Sequence, residues 1–126
     1  MSNRAEAIVM FLACARQGLA CNPSLHRTFT SGEIATLLQR LRARALLTES
    51  GWGADRGRDL ASLSTRVPSV TRVYTPENFP GPATNPGPPN ADPDSVVYLA
   101  FTSGTTGTPK CVMHTHNTLL ANARDM

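Results

Sequence analysis

A short loop near the carboxyl end concentrates the residues that could bind a charged ligand. Residues 102–110 place five hydroxyls, two glycines and the one lysine of the sequence within nine positions. Glycines let backbone N–H groups turn toward an anion, hydroxyls add hydrogen-bond donors, and a lysine supplies positive charge. We therefore predict a loop that binds a polyphosphate. Its members are Thr102, Ser103, Gly104, Thr105, Thr106, Gly107, Thr108, Pro109 and Lys110.

The spacing in this loop differs from two common phosphate-binding motifs. Counted from Gly104, the positions that hold Gly-Lys-Ser/Thr in a Walker A loop read Pro109, Lys110 and Cys111. The loop does not match GxGxxG either. A plain turn rich in Ser, Thr and Gly is the alternative. The density of hydroxyls, and a continuous apolar strand predicted at 95–101 directly before the loop, favour phosphate binding.

Three helices are predicted upstream of this strand, over residues 3–17, 30–41 and 55–65. The second has the clearest signal, because Thr30 and Glu33 have capping-box spacing and apolar residues then recur at helical intervals. Asn3 and Glu6 predict a similar start for the first helix. Apolar residues surround most of that helix, which predicts burial on several sides.

Strands are predicted at residues 19–21, 45–48 and 70–74 as well as at 95–101. Because strands and helices alternate, we predict an α/β fold with mostly parallel strands. Seven prolines and two glycines lie between Thr75 and Asp94 and interrupt the alternation. This segment is predicted to be an exposed connection, with a polyproline site for a partner as the alternative.

Composition excludes several classes of protein. The net charge is +3, and the basic residues are scattered rather than clustered, which is not typical of a nucleic-acid-binding protein. The chain has no run of 18 apolar residues, so no spanning helix or integral membrane association is expected. Three cysteines at spacings of 7 and 90 fit neither a disulfide framework nor a CxxC metal site, and they favour a reducing cytoplasm. A signal peptide at the amino end is disfavoured by Glu6 and by the helix start.

Residues 98–110, Tyr-Leu-Ala-Phe-Thr-Ser-Gly-Thr-Thr-Gly-Thr-Pro-Lys, resemble the phosphate-loop signature of the adenylate-forming (AMP-binding) superfamily. This superfamily comprises acyl-CoA and aryl-CoA synthetases, luciferases and the adenylation domains of non-ribosomal peptide synthetases. Residues 112–117 are similar to the strand and helix start that follow the loop in these enzymes, and residues 3–23 to a helix and strand that precede it. The resemblance covers the whole chain, with one departure: Cys111 stands where the family usually has Gly.

The resemblance implies that the chain is part of the large amino-terminal domain of an adenylate-forming enzyme. Residues 1–75 would be an α/β segment, 76–94 a Pro-rich loop, and 95–126 a strand, the phosphate loop and the start of a helix. The chain would be an internal fragment without the carboxy-terminal domain, and inactive alone. No catalytic residue and no metal ligand is assigned to it.

The reaction that the resemblance implies uses ATP, Mg²⁺ and coenzyme A. A carboxylic acid attacks the α-phosphate of ATP, pyrophosphate leaves, and the acyl-adenylate passes its acyl group to coenzyme A. The loop would hold the β- and γ-phosphates, and Lys110 would offset charge on the leaving group. Among such enzymes we expect an acyl-CoA or aryl-CoA synthetase, for example one of fatty acid metabolism.

Other interpretations of the chain and of single residues stay open at this point. The chain could be a non-catalytic binding fragment that uses residues 76–93, or a degenerate truncated product. His114 and His116 could form a metal pair, but a structural role is preferred. Cys111 could be a nucleophile rather than a simple replacement of Gly. Trp52 could stack on a base, but a loop aromatic packed on the nearest helix is preferred.

Overall fold

The computed structural model describes residues 3–23, 27–55, 62–102 and 109–124. The chain divides into two compact units, Met1–Glu6 with Leu25–Pro82 and Ala7–Ser24 with Ala83–Met126. In chain order the described helices and strands are α1 (Ala5–Arg16), α2 (Ser31–Leu41), β1 (Ala45–Leu47), α3 (Leu63–Arg66), β2 (Arg72–Tyr74), β3 (Val96–Thr102), β4 (Lys110–Thr115) and α4 (His116–Arg124).

The predicted capping box starts helix α2 in the first unit. The Thr30 hydroxyl accepts a hydrogen bond from the Glu33 N–H at 3.3 Å, and the Glu33 carboxylate accepts one from the Thr30 N–H at 2.8 Å. The Thr30 hydroxyl also donates to the Glu33 carboxylate, at 2.8 Å, and the two bonds that this carboxylate accepts from Thr30 hold the pKa of Glu33 below its ordinary value. The helix ends at Leu41, and the C-cap residue Arg42 adopts the left-handed conformation with φ 50°.

Helix α2 packs over a small parallel sheet and an apolar cluster. Strands β1 and β2 pair in parallel, from Ala45 opposite Arg72 to Leu47 opposite Tyr74. The predicted strands at 45–48 and 70–74 are thus confirmed, although each is shorter. The buried cluster contains Ala35, Leu38, Leu63, Val67 and Val70. Of the helix predicted at 55–65, residues 56–61 lie outside the described residues, and α3 covers its end.

The second unit is built on an antiparallel hairpin. Strands β3 and β4 pair from Val96 opposite Thr115 to Thr102 opposite Lys110. On the other edge of β3, Cys21 forms a parallel bridge with Tyr98. In the described residues, the strand predicted at 19–21 is reduced to this single bridge. The α/β class is therefore confirmed, with parallel pairing at β1–β2 and at Cys21 and with antiparallel pairing of β3 and β4.

Helix α1 ends as predicted but differs from prediction at its start and in its burial. It begins at Ala5, and the Glu6 carboxylate, which was predicted to reach back to Asn3, pairs with the Arg4 guanidinium at 3.0 Å. Burial on several sides was wrong, since Ile8, Val9 and Leu12 are each more than half exposed. The helix packs by one narrow side, where the Phe11 ring meets the Tyr98 ring edge-on at 5.9 Å.

Strand β3 is also less buried than its apolar sequence predicts. Val97 is fully buried, but its neighbours along the strand are half-buried and Thr102 is exposed. The apolar run predicted a strand covered on both faces. In the structure the face that carries Tyr98 receives Phe11 of α1 and His114 of β4.

Candidate functional site

The hairpin holds the two ends of the predicted phosphate loop together. Thr102 ends β3, Lys110 begins β4, and the two residues are directly opposite each other in the ladder. Opposite residues of an antiparallel pair carry their side chains on the same face of the sheet. Both residues are exposed. The side chains of Thr102 and Lys110 therefore lie on the same face of the hairpin, at the two ends of the predicted loop.

The interior of the predicted loop lies outside the described residues: Ser103, Gly104, Thr105, Thr106, Gly107 and Thr108. Pro109 is described and is half-buried next to Lys110. Of the nine residues predicted to bind phosphate, the structure thus places Thr102, Pro109 and Lys110, all at the mouth of the loop.

Strand β3, which leads into the loop, is hydrogen-bonded along both edges. One edge pairs with β4. On the other edge the Cys21 N–H donates to the Val97 carbonyl, and the Leu99 N–H donates to the Cys21 carbonyl, each at 2.9 Å. The Asn22 side chain donates a further bond to the Leu99 carbonyl. Sequence reasoning missed Asn22, because an Asn before a proline is an ordinary turn signal.

Cys111 lies in β4 opposite Phe101 and is half-buried. Among the described non-glycine residues, Arg42 is the one with positive φ, so the backbone at Cys111 does not require Gly. The thiol therefore sits beside the loop without backbone strain. Whatever effect it has on a bound ligand must come from its side chain.

The two histidines belong to different elements. His114 lies in β4, with its ring 5.6 Å from the Tyr98 ring, and His116 is the first residue of α4. Thr115 precedes α4, and it exchanges hydrogen bonds with Thr118: each hydroxyl accepts the other residue's N–H, at 3.2 and 2.9 Å. This reciprocal cap fixes where β4 becomes helix.

Residues 80–89 of the Pro-rich segment are exposed. A 3₁₀ turn at Pro76–Asn78 precedes them. The far half of the segment is nevertheless tied to α1. The Asn90 N–H donates to the Arg16 carbonyl at 2.7 Å, and the Arg16 guanidinium donates to the Gly87 carbonyl at 2.9 Å. The segment is thus a surface connection with fixed ends.

Trp52 lies in a loop of the first unit. Its ring packs against the apolar cluster that includes Leu38 of α2, as predicted. The Arg27 guanidinium lies 5.5 Å from the ring centroid, within the range of a cation–π contact.

Among residues 3–23, 27–55, 62–102 and 109–124, no three His, Cys, Asp or Glu side chains come together as a ligand set. Mg²⁺ is ordinarily held by carboxylates together with substrate phosphates. A magnesium ion bound in this way needs fewer protein ligands than a set of three. Within the same ranges, no helix has the length and apolar character needed to cross a membrane.

Comparison with known proteins identifies the family. The family model for AMP-binding enzymes matches residues 1–126, so the chain belongs to the AMP-binding enzyme family. The resemblance found in residues 98–110 is thereby confirmed.

Similar proteins come from two branches of this family. The chain is 34% identical over 117 residues to the phosphinothricin tripeptide synthetase PhsC of Streptomyces viridochromogenes, covering 92% of this chain and 10% of that protein. It is 30% identical over 129 residues to 4-coumarate-CoA ligase 1 of Narcissus pseudonarcissus, covering 97% of this chain and 23% of that protein. The chain thus spans a tenth to a quarter of the length of these relatives.

The fold matches a solved structure. The crystal structure of apo MatB from Rhodopseudomonas palustris superposes with a TM-score of 0.74 at 21% identity, over 97% of this chain and 25% of MatB. The predicted fold, part of the amino-terminal domain of an adenylate-forming enzyme, is confirmed by this match.

Proposed function

We propose that the chain is the phosphate-binding part of an ATP-dependent acyl-CoA or aryl-CoA synthetase. The observation that carries the proposal is the pairing of Thr102 with Lys110, which places a hydroxyl and the one lysine of the sequence on one face at the mouth of a Gly- and Thr-rich loop. The family match and the relative named as a CoA ligase support the same conclusion.

In this proposal the loop from Thr102 to Lys110 binds the β- and γ-phosphates of ATP. Backbone N–H groups and hydroxyls supply the hydrogen bonds, and the ammonium group of Lys110 offsets the charge that develops on pyrophosphate as it leaves. Strand β3 leads into the loop and is itself hydrogen-bonded on both edges. The loop stabilises a leaving group and does not select the acid.

A second candidate within the family is an amino-acid-activating domain that loads a carrier protein. The similarity to a peptide synthetase at 34% identity favours it. The acids, coenzyme A and Mg²⁺ belong to the proposed activity of the whole enzyme, which acts in the cytoplasm. Within that enzyme we assign residues 1–75 to an α/β segment, 76–94 to a Pro-rich loop, and 95–126 to the strand, loop and helix start.

The phosphate-binding proposal is tested by calorimetric titration of the 126-residue chain with Mg-ATP. Lys110→Gln should weaken binding about 10- to 100-fold, because a hydrogen bond to a charged group contributes about 1.5–3 kcal/mol. Arg124→Gln is the matched control, since Arg124 is an exposed cation at the end of α4. Equal affinities of the two variants, or no saturable binding by the wild-type chain, would refute the proposal.

Catalysis is tested separately. We infer that the 126-residue chain alone forms no acyl-adenylate, because it spans 23% of the CoA ligase that it resembles. ATP–pyrophosphate exchange by the purified chain would contradict this inference. The native product can be captured with an antibody against residues 76–93 and its intact mass measured. Activation of aryl or fatty acids with transfer to coenzyme A supports a synthetase, whereas activation of amino acids without that transfer supports the second candidate.

A further inference from the structure

Exposed arginines gather at one edge of the parallel sheet in the first unit. Strands β1 and β2 run in the same direction, so they begin at the same edge, and Arg44 directly precedes β1 while Arg72 begins β2. The Arg44 carbonyl accepts hydrogen bonds from the N–H groups of Thr71 and Arg72, at 2.9 and 3.3 Å, and from the Thr71 hydroxyl at 3.2 Å. The two segments are therefore joined where each of them carries an arginine.

Two more arginines come from the ends of α2 and α3. Gln39, in the last turn of α2, connects them: its carbonyl accepts the Arg42 N–H at 3.0 Å, and its side chain donates to the Arg66 carbonyl at 3.3 Å. Arg42 is also two residues from Arg44. The sequence conceals this grouping because Arg44 and Arg66 are 22 positions apart. We call the four residues the arginine patch: Arg42, Arg44, Arg66 and Arg72.

Neighbouring carboxylates do not neutralise the patch. All four arginines are exposed, and among the described residues none of them forms an ion pair with a carboxylate. Glu33 and Asp55 lie at the other end of α2, where the Asp55 carboxylate accepts hydrogen bonds from the N–H and hydroxyl of Ser31. The 11 residues of α2 separate its two ends by about 16 Å, which exceeds the Debye length of about 8 Å at physiological salt.

The sheet shows the same separation of charge. Glu49 and Glu77 follow the carboxyl ends of β1 and β2, whereas the patch lies where these strands begin. The first unit has nine arginines and six acidic residues, and the second has three basic and three acidic residues. The net charge of +3 therefore belongs to the first unit, and the patch concentrates positive charge at one edge of it.

We propose that the arginine patch is a docking surface for an acidic segment of a protein partner. A guanidinium group binds a carboxylate through two parallel hydrogen bonds. An extended segment presents alternate side chains on one face, about 7 Å apart, so several carboxylates can reach neighbouring arginines. The backbone of the patch is already held by the hydrogen bonds of Arg44, Thr71 and Gln39, so binding has to order side chains only.

The surroundings of the patch favour a polypeptide over a membrane or a nucleic acid. The large apolar side chains that the described residues leave exposed all belong to the second unit, so the patch offers none for insertion into lipid. Single-stranded nucleic acids stack on aromatic side chains, but Trp52 and Tyr74 lie toward the carboxyl ends of the strands. Duplex-binding proteins commonly contact about 6–10 phosphates, more than four arginines provide.

The test measures fluorescence anisotropy of a fluorescein-labelled hexaglutamate peptide as the complete 126-residue chain is added. Hexaglutamate should bind saturably at about 50 mM salt. Its affinity should fall about tenfold or more at about 500 mM salt, where the Debye length is about 4 Å. Hexaglutamine is the neutral control and should not bind at either concentration.

Substitutions show where the peptide binds. Arg44→Gln combined with Arg72→Gln should weaken hexaglutamate binding about 2- to 25-fold, because each exposed ion pair contributes a factor of about 1.4 to 5. Lys110→Gln combined with Arg124→Gln removes the same charge from the second unit and should leave the affinity unchanged. Arg44→Lys combined with Arg72→Lys keeps the charge and should retain most of the binding. The far-UV circular dichroism of each variant should match that of the wild-type chain.

Three results would overturn the proposal. The first is the absence of salt-sensitive binding of hexaglutamate, and the second is an equal loss of affinity in the two double variants with glutamine. The third is tighter binding of a short DNA duplex or of phosphatidylserine vesicles than of hexaglutamate. The patch contains none of the residues proposed to bind ATP, and Lys110→Gln is expected to weaken Mg-ATP binding alone, so the two proposals fail in different variants.

Discussion

Val97 offers a direct test of how much the core of the second unit contributes to stability. Its side chain is fully buried in β3, whereas Val112 in β4 is 41% exposed. Val→Ala removes two carbon atoms, which contribute about 1.6 kcal/mol when buried, and the remaining cavity raises the cost to about 2 kcal/mol. The same substitution at Val112 should cost about 0.5 kcal/mol or less. Both positions lie in strands, so any change in strand propensity affects them alike.

Urea unfolding followed by far-UV circular dichroism measures the difference. With a slope of about 2 kcal/mol/M, Val97→Ala should lower the midpoint by about 1 M, and Val112→Ala by a quarter of that or less. Amide exchange of the β3 peptide, read by mass spectrometry, should rise in the first variant and stay near the wild-type rate in the second. Equal shifts of the two midpoints would refute the reasoning from burial.

Two further substitutions test the ends of helices. Thr30→Ala removes the hydroxyl of the capping box and should destabilise the chain by about 1 kcal/mol, while Thr36→Ala, inside the same helix, should change stability little. Urea unfolding followed by circular dichroism measures both changes. Equal losses of stability would contradict the capping role of Thr30. Gly18→Ala places a Cβ at φ +68° and against the Asn90 side chain, so it should destabilise the chain by about 1 kcal/mol or more. Gly81→Ala, with no atom within 4 Å of an added Cβ, should be neutral. A thermal midpoint unchanged by Gly18→Ala would argue against the left-handed turn that ends α1.

Local signals in the sequence predicted the elements that depend on local chemistry. The capping box of Thr30 and Glu33 and the glycine stop at Gly18 are made by residues close together in the chain, and the structure has both. The strands at Ala45–Leu47 and Arg72–Tyr74 were also found, although the sequence overstated their length. Strand ends depend on the partner strand, which local patterns do not encode.

Features that depend on distant partners were predicted less well. An apolar helix surface predicted burial of α1, but burial depends on what packs against Ile8 and Leu12, and no local pattern carries that information. For the candidate site, the residue types in the loop predicted its chemistry, whereas the pairing of Thr102 with Lys110 needed the register of the hairpin.

The second unit is made of two stretches that lie far apart in the chain. The bond from the Asn22 side chain to the Leu99 carbonyl joins residues separated by 77 positions. Such contacts form only after a long loop has closed, and domains dominated by them fold slowly. During synthesis on the ribosome, α1 and Cys21 emerge well before the strand with which they pair. The loop that must close contains residues 25–82, which form most of the first unit and have contacts of their own.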